Sequence, residues 1–553
     1  MTATAEKQRA DTDRYPWVVL ANTTAAVFMS VLDGSIVLIA LPAIFAGIHL
    51  DPLDPANFAF LLWMIMGYRL VQAVLVVPVG WLGDLLGRVR IYNAGFLVFT
   101  IASLLLSFDP FTQRAAAVWL IAWRFVQALG GSMLTANSAA ILTDAFPPQR
   151  RGFALGVNQV AALAGQFIGL TLGGVLAVWD WRAVFWVNVP VGVFGTWWAY
   201  TRLRETGVRR RPLPRLDWAG NLTFAVGLSA LLIGITQVLQ PYAGHAMGWA
   251  NPVVQAELAG GIALLVAFLV IEAKVAEPMI RLSLFGIRAF AAGNVAALLA
   301  SIARGGLQFV LIIWLQGMWL PIHGYDYSQT PLWAGIFLLP LSVGFLVAGP
   351  ISGALSDRFG TRGIATSGML LFSATFVGLM LLPIDFPYPA FAVLILLNGV
   401  ANGMFSSPNT SSIMGSVPPE HRGAASGVRA TFQNSGMALS IGLFMSLMIG
   451  GLAARLPAAV GAAPGLDPAT HAALGHLSAS GSLFAAILGV DPVATVVGHP
   501  VGGRTFFPDL ISGPFHTGLV VVFSVGAVLG VVAALASALR GGTAPTTEEQ
   551  PCP

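Results

Sequence analysis

GWLGDLLGRVR, residues Gly80 to Arg90, returns 273 positions later as GALSDRFGTR, Gly353 to Arg362. Gly80, Leu82, Asp84 and Gly87 meet Gly353, Leu355, Asp357 and Gly360 in register. PPQRRGFALGV, Pro147 to Val157, matches PPEHRGAASGV, Pro418 to Val428, at an offset of 271 with seven of eleven residues identical. Two matches at nearly one offset mark an internal duplication. Both sit in short polar breaks between long apolar runs, so the duplicated unit is a membrane domain.

Composition points the same way. The 553 residues are 56% hydrophobic and 9% charged, with a mean hydropathy of +0.78, whereas soluble domains carry roughly a quarter charged residues. The formal charge of +4 comes from arginines spread over short loops. Nucleic-acid binding needs a clustered basic face, so no such partner is expected. The single cysteine, Cys552, excludes an internal disulfide framework and a Cys-based metal site. The first sixteen residues are polar and no small-residue cleavage pattern follows the first apolar run, which implies that the first helix is retained.

A helix needs about 20 apolar residues to cross the hydrocarbon core. Spans are expected at 17–47, 58–82, 91–108, 115–142, 153–178, 183–203, 217–239, 252–273, 289–319, 332–355, 364–383, 390–414, 425–450 and 515–539. That is fourteen, an even number, which puts both termini on one side. Loops on that side hold twenty Lys and Arg, including Arg202, Arg204, Arg209, Arg210, Arg211 and Arg215. The opposite loops hold four: Arg114, Arg182, Arg455 and Arg504. The positive-inside rule then makes the termini cytoplasmic in a cell-membrane protein.

The repeats align spans two to five with spans ten to thirteen, giving six helices per half and two left over. The organisation is a tail (1–16), a first half (17–203), a basic linker (204–216), two extra spans (217–273), a loop (274–288), a second half (289–539) and a tail (540–553). The linker RRRPLPRLDW reads as a topogenic anchor between domains. Within the second half, 451–514 is an outer loop rich in Ala, Gly and Pro. Its piece SLFAAILGV, Ser482 to Val490, is too short to span; it either lies at the membrane surface, as a partly ordered surface excursion, or closes over a cavity.

Asp33 stands about 24 Å along its helix from Trp17 and about 21 Å before Gly47, at 1.5 Å per residue. A carboxylate at that depth is costly unless it faces a cavity, finds a partner or takes a proton. Arg124, about nine residues inside its own span, shares that depth, and all eight histidines fall in loops or at span ends. A coupling pair and a fixed structural ion pair both fit Asp33 and Arg124. Gln127, Gln166, Gln308 and Asn434, with Arg69 and Arg304, are candidates to line a substrate cavity. The two arginines suit an anionic or lipid-like group, or else a neighbour or backbone partner; Arg429, one turn from the cytoplasm, snorkels. Glu257 and Glu272 read as interface charges. Gly165, Gly169, Gly173 and Gly174 give one smooth helix face for close packing. Asp84, Arg88 and Arg90 read either as a conformational latch or as topogenic charge. There is no phosphate-binding Gly-rich loop, paired-His metal motif or Gly-x-Ser-x-Gly elbow, so no enzyme is expected and an ion gradient is the energy source.

These residues resemble the major facilitator superfamily, and within it the fourteen-spanner drug:proton antiporters, over nearly the whole chain except the outer loop and the termini. GWLGDLLGRVR is similar to the superfamily signature between helices two and three, with Leu85 where a basic residue is common; the second copy keeps Arg358. LDGSIVLIALP, Leu32 to Pro42, resembles the antiporter signature, with Ser35 and Leu38 replacing Thr and Asn. RFVQALGG, Arg124 to Gly131, is similar to the family's Arg-x-x-Gln-Gly element with Ala128 in place of Gly. GLTLGG, Gly169 to Gly174, resembles GPxxGG with Leu170 in place of Pro. WRAVFWVNVPVG at Trp181, LDWAG at Leu216 and EPMIRLSLF at Glu277 match further fourteen-spanner signatures.

The resemblance implies an all-α polytopic membrane protein of the major facilitator fold, two six-helix halves plus two extra central helices. It implies a latch of Gly80, Asp84, Gly87, Arg88 and Arg90 with Gly353, Asp357, Arg358, Gly360 and Arg362, weaker in the first half, where Leu85 replaces a basic residue. Asp33 and Arg124 become the proton-coupling pair, with proton and substrate binding mutually exclusive, and the glycine face becomes an antiporter-like packing element. The implied activity is export of a small amphipathic or lipophilic compound, as in multidrug efflux, in exchange for protons. It needs no cofactor, and the protein is a monomer among membrane lipids. Alternatives are export or flipping of a lipid or anionic metabolite and, more remotely, a non-transporting sensor or scaffold.

Overall fold

Lipid offers no partner to backbone N–H and C=O groups, so apolar runs of this length must satisfy them internally as helices. The computed structural model describes residues 2–540 except 52–53, 55–56, 148–149, 206–216, 241, 244, 246, 276–277, 279, 419–421 and most of 463–504 outside one short helix. The first half contains α1 (Thr2–Gly47), α2 (Phe58–Leu86), α3 (Arg88–Ser107), α4 (Gln113–Ala145), α5 (Arg151–Trp179), α6 (Ala183–Trp186) and α7 (Asn188–Arg202). Next come α8 (Trp218–Val238) and α9 (Pro252–Glu272). The second half contains α10 (Arg288–Trp314), α11 (Leu320–Ile322), α12 (Thr330–Phe337), α13 (Leu339–Phe359), α14 (Thr361–Met380), α15 (Tyr388–Gly415), α16 (Arg422–Ala453), α17 (Leu456–Gly461), α18 (Ala479–Ile487) and α19 (Phe506–Ala538).

Twelve helical segments among the described residues are long and apolar enough to cross a membrane. The other two expected spans are occupied by α5 and by the broken pair α6–α7. The break at Val187 has a local cause, since Pro190 has no N–H to offer the carbonyl of Trp186. Pro340 does the same to the carbonyl of Ile336 where α12 gives way to α13. Between α10 and α11, Leu315–Trp319 form one π-helical turn.

The duplication is visible in the packing. α1 lies on α5 as α10 lies on α16, α2 on α4 as α13 on α15, α3 on α4 as α14 on α15, and α3 on α7 as α14 on α19. At equivalent turns, Gly87 and Gly360 precede α3 and α14 with φ of +112° and +86°, a region that favours glycine. α8 pairs with α9 and also touches both halves, through α2 and α16. The signatures LDWAG and EPMIRLSLF meet here: Asp217 caps α8 by accepting from the Gly220 N–H at 2.8 Å, and buried Glu272 accepts from the Ile280 N–H at 3.1 Å. Glu257 accepts from Gln237 on α8 at 3.0 Å.

One expected boundary needs correction. α19 starts at Phe506 rather than at 515, because FFPDLISGPF is apolar and Pro514 is accommodated within the helix. The polar start of the chain is helical, α1 running back to Thr2 through Pro16, and the apolar span within α1 begins at Arg14. SLFAAILGV is not a surface excursion: Leu483 and Phe484 on α18 are buried in the core, with α18 packed on α10, α16 and the Leu315–Trp319 turn. The linker 206–216 lies outside the described residues, as does most of the rest of the outer loop.

The glycine face of α5 packs on α1. A Cβ on Gly165 would meet the Phe28 carbonyl oxygen at 2.6 Å, and one on Gly173 the Ile36 carbonyl oxygen at 2.5 Å. Gly174 turns to the opposite half, 3.0 Å from the Leu332 Cα by the same construction. Backbone cannot yield as a flexible side chain can, so Gly165→Val should wedge α1 from α5. The expected cost is about 1–3 kcal/mol, read as a lowered melting temperature of the purified protein in detergent; an unchanged melting temperature counts against this packing.

Candidate functional site

The α1–α5 contact fixes the height of Asp33, and four helices close around it. Arg124 Nη1 on α4 donates to Asp33 Oδ2. Gln127, one helical turn further along α4, donates to Asp33 Oδ1 at 2.9 Å, and Asn188, the first residue of α7, donates to the same oxygen at 2.7 Å. Gln127 also accepts from Arg124 at 2.8 Å and donates to Ser103 of α3 at 2.9 Å. The Arg124 guanidinium lies over the Tyr68 ring, 4.2 Å from its centroid. Tyr68 in turn donates to the Ser30 carbonyl at 3.0 Å and accepts from Gln72 at 3.1 Å. Asp33 is 0% exposed and Arg124 2%. A buried ion pair survives only when its remaining hydrogen-bonding capacity is filled, and here three donors fill the carboxylate.

A small cavity of about 50 Å³ opens beside this network, between the halves. α1 contributes Val37, Leu38 and Leu41; α2 contributes Met64, Ile65 and Arg69; α4 contributes Arg124; α5 contributes Gln166. From the second half come Gln308 and Phe309 of α10 and Met437, Ser440 and Ile441 of α16. Gln166 donates to Gln308 at 2.6 Å, a direct link between the halves. Phe45 of α1, Ile48 just beyond it and Trp181 share one apolar cluster with Trp319 and Leu338 of the second half.

Of the expected cavity residues, Arg69, Gln166 and Gln308 line it. Gln127 does not: it is buried behind Asp33 as part of that carboxylate's shell. Arg304 turns beside the wall to Met437, with Nη2 3.8 Å from the sulfur, and Asn434 is not among the lining residues. Asp33 does not line the cavity either, so its cavity-facing partner is Arg124. Direct contact competition between proton and cargo at the carboxylate is therefore not available in this conformation. Asn188, Ser103 and Tyr68 were not singled out from the sequence. Asn188 had one signal, a lone polar residue in the apolar run WRAVFWVNVPVG. Arg429 bonds Gln433 at 3.3 Å and Thr410 at 3.5 Å.

At the GWLGDLLGRVR turn, the side chains of Asp84 and Asp357 lie outside the described residues. Arg88 pairs with Asp144 at the end of α4 at 2.8 Å. The Glu205 carboxylate, just beyond α7, accepts from the backbone N–H of Arg88 at 3.0 Å and of Val89 at 3.2 Å, the place where a helix carries unpaired donors and positive dipole. Arg90 is exposed. In the second copy, exposed Arg358 stacks near Phe359 at 5.5 Å, and Arg362 is exposed. Glu205→Gln should weaken the α3 cap by about 0.5–1 kcal/mol, seen as a small fall in melting temperature that high salt erases; a fall that salt leaves intact argues against a charge effect.

Residues 23–441 match the family model described as Major Facilitator Superfamily. The chain is 31% identical over 434 residues to the riboflavin transporter RibZ of Clostridioides difficile, covering 78% of this chain and 88% of that protein. It is 26% identical over 522 residues to the tetracenomycin C resistance and export protein of Streptomyces glaucescens, covering 94% and 90%. Among solved structures, the proton:xylose symporter XylE bound to 6-bromo-6-deoxy-D-glucose superposes with a TM-score of 0.58 at 13% identity, covering 95% of each chain, a likeness of fold.

Proposed function

The chain belongs to the Major Facilitator Superfamily, and on that premise we propose that it exports small amphipathic molecules by alternating access, in exchange for protons carried at Asp33. The observation that carries this reading is the buried Asp33–Arg124 pair at mid-membrane depth, adjoining a cavity built from both halves. The cavity mixes apolar walls with Arg69, Arg124, Gln166 and Gln308, the lining expected for a cargo with one wet end and one greasy body. The direction is taken from the tetracenomycin C relative, whose described role is resistance and export.

Coupling runs through the fold of the first half. The groups facing Asp33 are Arg124, Gln127 and Asn188, with Tyr68 and Arg69 also within electrostatic reach. A proton on Asp33 removes the charge that Arg124 and the two amides hold, and so loosens the tie among α1, α4 and α7. Rocking of the halves then breaks the Gln166–Gln308 link and reseals the cavity from the other side. The protein sits in the cell membrane with cytoplasmic termini, as the loop arginines direct.

Everted vesicles containing the full chain test this. An acidic lumen should drive cargo inward, a protonophore should collapse the gradient, and vesicles lacking the protein should show neither effect. Dye movement indifferent to the pH gradient would overturn proton exchange.

A further inference from the structure

Arg69 is the cation that the Asp33 network leaves over. Its guanidinium lies against Gly34, so close that a Cβ there would meet Nη2 at 3.2 Å and Cζ at 3.3 Å. It has no hydrogen-bond or ion-pair partner among the described residues. The charged and titratable groups within its reach are Tyr68, Arg124 and Asp33, and Asp33 is already committed to Arg124 and two amides. Arg304 approaches from the second half with Arg69 as its charged neighbour. Its Nη2 meets only the Met437 sulfur, and its buried Nε has no partner.

Two guanidinium groups, one from each half, thus stand at mid-membrane with no carboxylate to neutralise them among the described residues. Cations without counter-charge are costly at that depth, and two of them repel each other. An anion between them relieves both penalties, and the planar fork of arginine suits carboxylate, sulfonate or phosphate oxygens.

We propose that the cargo is an amphipathic organic anion, its acidic group held by Arg69 with Arg304 as the second cation and its apolar body against the apolar walls of the central cavity. Organic cations are rejected by the same charges. This assignment rests on the export reading. Proton and cargo then carry opposite charges and attract, so their exchange depends on helix packing rather than on competition between like charges.

Fluorescein and a rhodamine ester, xanthene dyes of similar size and opposite charge, provide the test in everted vesicles and in binding to the purified full-length protein. The expected result is movement of fluorescein but not of the rhodamine ester. Arg69→Gln should weaken fluorescein binding about tenfold to a hundredfold, while Arg69→Lys, which keeps the charge, retains more of it. Gly34→Ala, which crowds the guanidinium without removing it, should weaken binding in the same direction and guards against misfolding of the charge variant. Equal handling of both dyes, preference for the rhodamine ester, or unchanged fluorescein binding by Arg69→Gln overturns the anion site and leaves export standing. Movement of neither dye above empty vesicles overturns the export reading, and this proposal with it.

Discussion

Asp33→Asn should reduce pH-gradient-driven export by about two orders of magnitude, the kinetic equivalent of losing an interaction of roughly 3 kcal/mol. Asparagine keeps the size of the protonated acid but has no proton to release. It also has a single acceptor oxygen, where the carboxylate accepts from Arg124 on one side and from Gln127 and Asn188 on the other. Whichever way the new amide turns, one donor set loses its partner, and Arg124 keeps only the Gln127 oxygen and the Tyr68 face. The alternating-access cycle itself does not need the proton, so cargo-for-cargo counterflow should persist. Measuring both in the same vesicles separates a coupling role from general damage. Undiminished gradient-driven accumulation by the variant would remove Asp33 from the proton path; loss of counterflow in parallel would make it structural.

The membrane architecture and the Asp33–Arg124 pair were legible in the sequence for physical reasons. A duplicated polar turn stands out against apolar runs, and a helix converts residue count to depth, which placed one carboxylate and one guanidinium at the same level. Gln127 was visible as part of the same element, but its direction was not. One turn from Arg124, it shares that residue's face, which the fold aims at Asp33 rather than at the cavity. Asn188 was hidden because it belongs to α7, and nothing local says that α7 ends against α1. Glu205 and Asp144 were missed for a similar reason: each is an ordinary loop or helix-end acid until tertiary packing sets it against α3 or Arg88. Arg304 was read from depth alone, and depth does not report rotation about the helix axis. The start of α19 was misplaced because Pro514 reads as a breaker, although a helix packed among neighbours tolerates it.

Arg124→Leu should be more destructive to the fold than any change at the cavity wall, costing about 3–5 kcal/mol. The substitution leaves a fully buried carboxylate with two neutral amide donors and no hydrogen-bonded counter-charge, at a depth where water cannot replace the lost partner. A lowered melting temperature and poor recovery from detergent are expected. The second substitution decides the cause. In Asp33→Asn with Arg124→Leu, the oxygen of the introduced asparagine can accept from Gln127 and Asn188, and its amide can donate to the Gln127 oxygen that Arg124 has vacated. No charge is then left to bury, so the double variant should regain most of the stability lost by Arg124→Leu, as replacements of whole buried pairs do. Transport should not return with it, because neither the proton carrier nor its cavity-facing partner Arg124 is present. A double variant as unstable as Arg124→Leu would mean that packing of the arginine stem, not the stranded carboxylate, is what the first substitution destroys.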